Sequence, residues 1–295
     1  MINSSYRAFS FRRIMAIAAN TFTELTRLKI FYVLLLFALL LIGSSIFMAQ
    51  LSFQQEFQVL KDIALGAMNI FTSLLAIVAT ARLIPQDIED RTIYTILAKP
   101  VSRVEYLLGK LTGVLLILGL GLLIMSTLFL VVLAIREQTV LNETAALMHN
   151  SSPEQIAEAV AAVRASAFNA NLLPGIGILF LKAGLLASLT LFVSTFATTS
   201  IFTTVVMVFI YFIGHLQATA RTYWLQTNSA GWITKSFLAL VALLFPDLQL
   251  FNLVDDIVAG AAIPLALLSR TVTLGFFYTG FYLLLAWTVF YRKEL

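Results

Sequence analysis

The residues with the most chemical potential are crowded into one short polar stretch. It begins Asp87-Ile-Glu-Asp-Arg-Thr92, continues through Lys99-Pro-Val-Ser-Arg103 and closes on Gly109-Lys110. Carboxylates at Asp87, Glu89 and Asp90 stand beside cations at Arg91, Lys99, Arg103 and Lys110. Such a stretch offers a handle to something in the water phase. Other chemistries lack their parts. There is no Gly-x4-Gly-Lys-Ser/Thr, so no loop can cradle phosphates, and Gly109-Lys110 alone is not one. The only histidines, His149 and His215, lie in different segments, and the seven methionines are scattered. With no cysteine, neither a disulfide nor a thiolate metal site is possible. No catalytic, cofactor or metal constellation is expected in this chain.

The elements around the polar stretch define its setting. The chain is 60% hydrophobic and 12% charged, with mean hydropathy +0.94, which no soluble domain of this length matches. Charge-free windows lie between Lys29 and Glu56, Asp62 and Arg82, Lys110 and Arg136, and Arg270 and Arg292. Each fits one helix across about 30 Å of hydrocarbon. The apolar run from Leu172 to Arg221 suits two spans folded at Ser194-Thr-Phe-Ala-Thr-Thr-Ser200, where small hydroxyl residues can bond their own backbone. Six spans are expected, at about 30–50, 63–83, 108–133, 172–194, 200–217 and 271–291. The polar stretch sits between the second and third.

An even count places both termini on one side. That side carries Arg7, Arg12, Arg13, Arg27, Lys29, the basic residues from Arg82 to Lys110, Arg292 and Lys293. The other carries Lys61, Arg136, Arg164, Lys182, Arg221, Lys235 and Arg270. The positive-inside rule makes the first side cytoplasmic. This asymmetry accounts for the +4 charge without a nucleic-acid partner. The first span reads as a retained anchor rather than a cleaved signal.

Three segments flank the spans. From about Phe9 to Leu28, Arg12, Arg13, Glu24 and Arg27 interleave with Phe11, Ile14, Ile17, Phe22 and Leu25, an amphipathic helix suited to the lipid interface. In the non-cytoplasmic insertion 136–171, Ser152-Pro153-Glu154-Gln155 is a helix start with a capping box. Residues 218–270 are apolar but broken by Pro246, Asp247, Asp255, Asp256, Gly260 and Pro264. They read as a re-entrant or external hairpin, or as a pair of short spans.

Asp87 to Leu97 can form a helix with its acids near the positive end of the dipole. Lys99-Pro100 stops it, and Ser102 with Glu105 caps the next helix. A rigid helix–turn–helix at the membrane surface can transmit force to the spans.

The run Asp87-Ile-Glu-Asp-Arg-Thr-Ile-Tyr-Thr-Ile-Leu-Ala-Lys-Pro-Val-Ser-Arg-Val-Glu-Tyr-Leu-Leu-Gly-Lys110 resembles the cytoplasmic signature of ABC-2 type permeases. It looks most like the branch containing the permease of nitrous-oxide-reductase maturation. The six-span plan, the interfacial first helix and the broken segment before the last span extend the resemblance over nearly the whole chain. One departure is Arg91, where many relatives have Gly. The resemblance implies an all-α integral membrane protein of the bacterial inner membrane. It makes the first helix an elbow helix and Glu89–Thr92 the core of a coupling helix. Asp87, Glu89, Asp90, Arg91, Thr92, Lys99, Pro100 and Arg103 would meet a separate ATPase, which holds the ATP and Mg2+.

An ion-driven carrier would place ionisable groups inside its spans. Here Asp62, Lys182 and Arg270 are expected at span ends. Three functions remain open: export of a substrate, transmission of force to an extracytoplasmic partner, or an unrelated membrane scaffold or secondary carrier. One set of six spans has few polar groups to line a path, so a second permease copy or paralogue is expected. Gly66, Ala67, Ser73, Ala76 and Ala79 with Thr203 and Thr204 are candidates for the seam between copies, because small residues let helices approach.

Overall fold

The computed structural model describes residues 9–51, 55–92, 101–148, 152–226, 232, 236, 245–260 and 263–292. Among them every regular element is helical. In chain order these are α1 (Phe11–Thr26), α2 (Lys29–Leu51), α3 (Glu56–Ala81), α4 (Leu83–Glu89), α5 (Arg103–Leu147), α6 (Pro153–Ala167), α7 (Leu172–Phe196) and α8 (Ser200–Gln226). A 3-10 turn (Leu248–Phe251), α9 (Val254–Val258) and α10 (Leu265–Arg292) follow. Among the described residues six helices are long and apolar enough to cross a membrane: α2, α3, α5, α7, α8 and α10. It is a multi-pass membrane protein.

Burial sorts the six. In the most apolar window 72% of residues are buried for α7 and 67% for α3, against 22% for α2 and 17% for α10. So α3 and α7 form the centre, and α2, α8 and α10 turn large apolar side chains outward. Phe37, Leu40 and Phe47 on α2, and Phe209 and Phe212 on α8, are exposed. In water such a surface would be costly, whereas hydrocarbon is its natural solvent.

Local signals explain the ends. Ser102 accepts from Glu105 N while the Glu105 side chain accepts from Ser102 N at 2.8 Å, the expected capping box of α5. Ser152 and Gln155 do the same for α6. The turn between α7 and α8 falls at Ala197–Thr199, inside the hydroxyl-rich stretch, where Thr199 Oγ1 accepts from Phe202 N at 3.3 Å.

Two boundaries differ from expectation. The third span does not stop before Arg136. With no Gly or Pro in its last two turns and more, α5 continues to Leu147. Arg136 lies within it and pairs with Glu56 of α3 at 2.5 Å. Likewise α8 runs to Gln226 rather than ending near residue 217. Much of the expected hairpin, residues 227–231, 233–235, 237–244 and 261–262, lies outside the described residues. Of its remainder, Leu248, Phe251, Val254 and Ile257 are buried on the bundle.

The amphipathic first helix forms as expected. Its stripe of Ile14, Ala18, Thr21 and Leu25 is buried, and the helix packs on α5. Gly109 and Gly113, one turn apart on α5, make this possible. A Cβ at Gly109 would lie 2.6 Å from Ile17 Cβ, and one at Gly113 2.6 Å from Thr21 Cβ. Outward Phe11 and Met15 remain exposed.

Candidate coupling site

The sequence places Asp87 on the outer handle. The structure turns it inward. Asp87 lies in the last turn of α4, two residues before Glu89 ends it, and it is buried. Its carboxylate accepts from the Tyr106 hydroxyl at 2.5 Å and meets Lys110 Nζ at 2.8 Å. The Thr92 hydroxyl reaches its side chain and its carbonyl, each at 3.2 Å. Lys110 is only 1% exposed and also reaches Glu24 of α1 at 3.5 Å. Asp87 is therefore a strut joining α4 to α5 and α1.

The neighbouring contacts extend this clasp to four helices. Glu105 accepts from Ser10 N at 2.7 Å and pairs with Arg13 at 3.2 Å, which fixes the start of α1. Tyr106 stacks on Phe290 of α10, ring centroids 5.7 Å apart. Arg103 donates to the carbonyls of Phe290 and Tyr291, the latter at 2.6 Å, and its guanidinium lies over both rings. Helix-end carbonyls have no intrahelical donor, and a cation there also complements the dipole. Arg103, expected on the partner's surface, is thus largely committed to the end of α10.

What remains outward is the turn itself. Glu89, Asp90, Arg91 and Thr92 are exposed. The expected continuous helix from Asp87 to Leu97 breaks here. Asp90 N still donates to Gln86 O at 2.8 Å, but Arg91 adopts φ +56°, the left-handed region. A left-handed residue just past a helix end is the usual stop, and Gly holds it at least cost. This gives a backbone reason for the Gly that many resembling sequences carry at the position of Arg91. Thr92 is again helical; residues 93–100, with Lys99 and Pro100, lie outside the described residues. Beside the turn, Arg82, Gln86, Glu89 and Asp90 line a cavity of about 510 Å³, closed on the other side by Ser200, Ile201 and Thr204.

The expected seam fares unevenly. Ser73, Ala76, Ala67, Ala79 and Thr203 are buried within the single chain. Their small size serves packing of α3 and α8 inside one subunit. Gly66 and Thr204 are partly exposed, with open space where a Gly66 Cβ would be.

Residues 15–295 match the model of the ABC-2 family transporter proteins. The chain belongs to the ABC-2 transporter family. Among curated proteins none matches it significantly. As an ABC-2 permease it forms the membrane-spanning part of a transporter, and permeases of this family typically work with an ABC ATPase subunit. The clasp is then the ABC-2 permease's own link between its polar turn and its membrane helices. Sequence reasoning missed Glu24 and Tyr106 as members. Their signal was weak, because they come from separate segments that meet only after α1 packs on α5.

Lys182 is the other correction. It was expected at a span end, yet it lies near the middle of the 25-residue α7 and is 1% exposed. Its Nζ donates to Asn69 Oδ1 at 3.1 Å and to His215 Nε2 at 3.2 Å.

Proposed function

We propose that this chain is the permease subunit of an ATP-driven exporter. The exposed turn Glu89–Thr92 docks into a cleft of a separate ATPase subunit, and that subunit binds ATP and Mg2+. The observation that carries the reading is the contrast at the turn. Its outer residues are solvent-facing, while Asp87 directly behind them is tied to α1 and α5. Tyr106 and Arg103 carry the tie on to α10. Displacement of the turn therefore moves three membrane-anchored elements together.

The clasp end faces the cytoplasm in this reading, with both termini there. Support comes from Arg12, Arg13, Arg82, Arg91, Arg103 and Arg292, which lie at that end. Two permease subunits, identical or paralogous, pair with two ATPases in a bacterial inner membrane. The seam uses the outward faces of α3 and α8 near Gly66 and Thr204. Charge reversal tests the docking. Glu89→Lys combined with Arg91→Glu should abolish co-purification with the ATPase while membrane insertion persists, since both side chains are exposed. Unchanged assembly and coupled ATP hydrolysis would place the contact elsewhere.

The length of α5 favours a second reading. Its 45 residues span roughly 68 Å, against about 30 Å of hydrocarbon. The helix is a rod running from the clasp past the far membrane face. It could pass force to an extracytoplasmic partner without moving a solute. ATPase activity in liposomes that responds to a soluble extracytoplasmic protein, and to no solute, would favour this reading.

A further inference from the structure

Lys182 occupies an unusual electrostatic position. At 1.5 Å per residue, Lys182, His215 and Asn69 each lie about 20 Å along their helices from the clasp end, on three of the helices long and apolar enough to cross a membrane. Three groups surround the ammonium. Asn69 offers its carbonyl oxygen at 3.1 Å. His215 donates from Nδ1 to the Tyr211 carbonyl at 2.9 Å, which leaves Nε2 to accept from Lys182 at 3.2 Å. The Tyr211 ring centroid is 5.8 Å away. All three are uncharged in this arrangement. Among the described residues no carboxylate forms an ion pair with Lys182. Of the other buried cations, Lys110 and Arg136 each have an acid within reach, while Lys61 donates to the Ser166 carbonyl at 2.6 Å. A buried charge without an opposite charge is costly, and intramembrane ionisable groups mark functional positions.

The cluster is not sealed. Asn69, Tyr211 and His215 are partly exposed on the outer surface between α3 and α8. The Asn69 amide NH2 donates to no described residue, although its carbonyl oxygen is used. Around this polar opening Ile70, Leu74, Phe209 and Phe212 are exposed. A donor and a cation within an apolar surface suit a molecule with an anionic head and an apolar body.

We propose that Lys182, Asn69 and His215 form a mid-membrane site for the anionic oxygen group, carboxylate or phosphate, of an amphipathic cargo. The site rests on the exporter reading and deepens it, because it names the class of molecule carried. Swinging the His215 ring away from Lys182 gives an entering oxyanion the ammonium. The Asn69 amide supplies a second donor, and the exposed phenylalanines hold the chain. The oxyanion then gives Lys182 a direct ion pair, which no described carboxylate provides, although Asp247 acts on the neighbouring His215.

The test uses the full chain in phosphatidylcholine vesicles without ATP. The probes share one 12-carbon chain bearing a diazirine and differ only in the head: carboxylate, phosphate, alcohol or amine. After irradiation, labelled peptides are mapped. The carboxylate or the phosphate probe should label α3 around Asn69 and α8 around Phe209–Phe212 at least tenfold more than the alcohol and amine probes. The stronger of the two acids identifies the head group. Lys182→Met should lower that labelling about tenfold and Lys182→Arg should retain most of it. Asn69→Val, at a partly exposed position where folding is little affected, should lower it several-fold. Equal labelling by acid and alcohol, or Lys182→Met labelling like the unaltered chain, would overturn the site and leave Lys182 as a strut between α3, α7 and α8. The labelling needs no ATPase. Acid-selective labelling in a chain that binds no ATPase would thus sink the exporter reading alone, and ATPase binding without selective labelling would sink the site alone.

Discussion

Asp87 and Lys110 neutralise each other 2.8 Å apart in a buried position. Removing one partner of such a pair strands the other charge, which typically costs about 3–5 kcal/mol. Asp87→Asn should therefore lower the thermal midpoint of the detergent-purified protein clearly, by about 3 kcal/mol. The Asp87→Leu, Lys110→Met double variant should cost less than the sum of its two single changes. Additive losses would show that the two side chains do not act as a unit. Arg91 makes the opposite case. A non-Gly residue in the left-handed region carries a penalty of about 1–2 kcal/mol. Arg91→Gly should leave the thermal midpoint unchanged or raise it by the equivalent of about 1 kcal/mol. A clear loss of stability would mean that the arginine side chain is held by contacts beyond this turn. The turn residue was flagged in the sequence by its departure from Gly, but its backbone angle depends on how α4 ends. The inward direction of Asp87 was not legible at all. Nothing local distinguishes it from Glu89, two residues on; only the approach of Tyr106 and Lys110 does.

At the scale of elements, α1 is held by close approach as much as by charge. Gly109 and Gly113 give its backbone and side chains room that no larger residue leaves. Gly109→Val should force Ile17 away, at a cost of about 1–3 kcal/mol, and free α1 from the bundle. The variant should insert normally yet expose the segment around Arg12 and Arg13 to trypsin. Protection equal to that of the unaltered chain would contradict this packing. The six crossing helices and both capping boxes could be read from the sequence because their signals are local: charge-free windows, and a hydroxyl three residues before Glu or Gln. The partner of the amphipathic helix could not. Its stripe of Ile14, Ala18, Thr21 and Leu25 reads equally as a face for lipid or for protein. The depth of Lys182 was obscured for a related reason. Its charge suggested a boundary, while the neutral groups that receive it, Asn69 and His215, lie on two other helices.

At the scale of the molecule, α1, the start of α5 and the end of α10 meet at one end, through Glu105 with Arg13 and Arg103 with Tyr291. Single cysteines at Ser102 and Ser152 should therefore be labelled from opposite sides of the membrane, with Ser152 reached from outside the cell. External labelling of Ser102 would reverse the orientation and remove the turn from any cytoplasmic ATPase. The central claim is that this turn is where the ATPase sits. The most direct measurement places a photo-crosslinking amino acid at Glu89, and as a control at Glu154 on α6, in cells that produce the partner ATPase. Glu89 and Glu154 are both exposed, so neither position should disturb folding. The account expects a permease–ATPase adduct from Glu89 and none from Glu154; an adduct from Glu154 with none from Glu89 would contradict it.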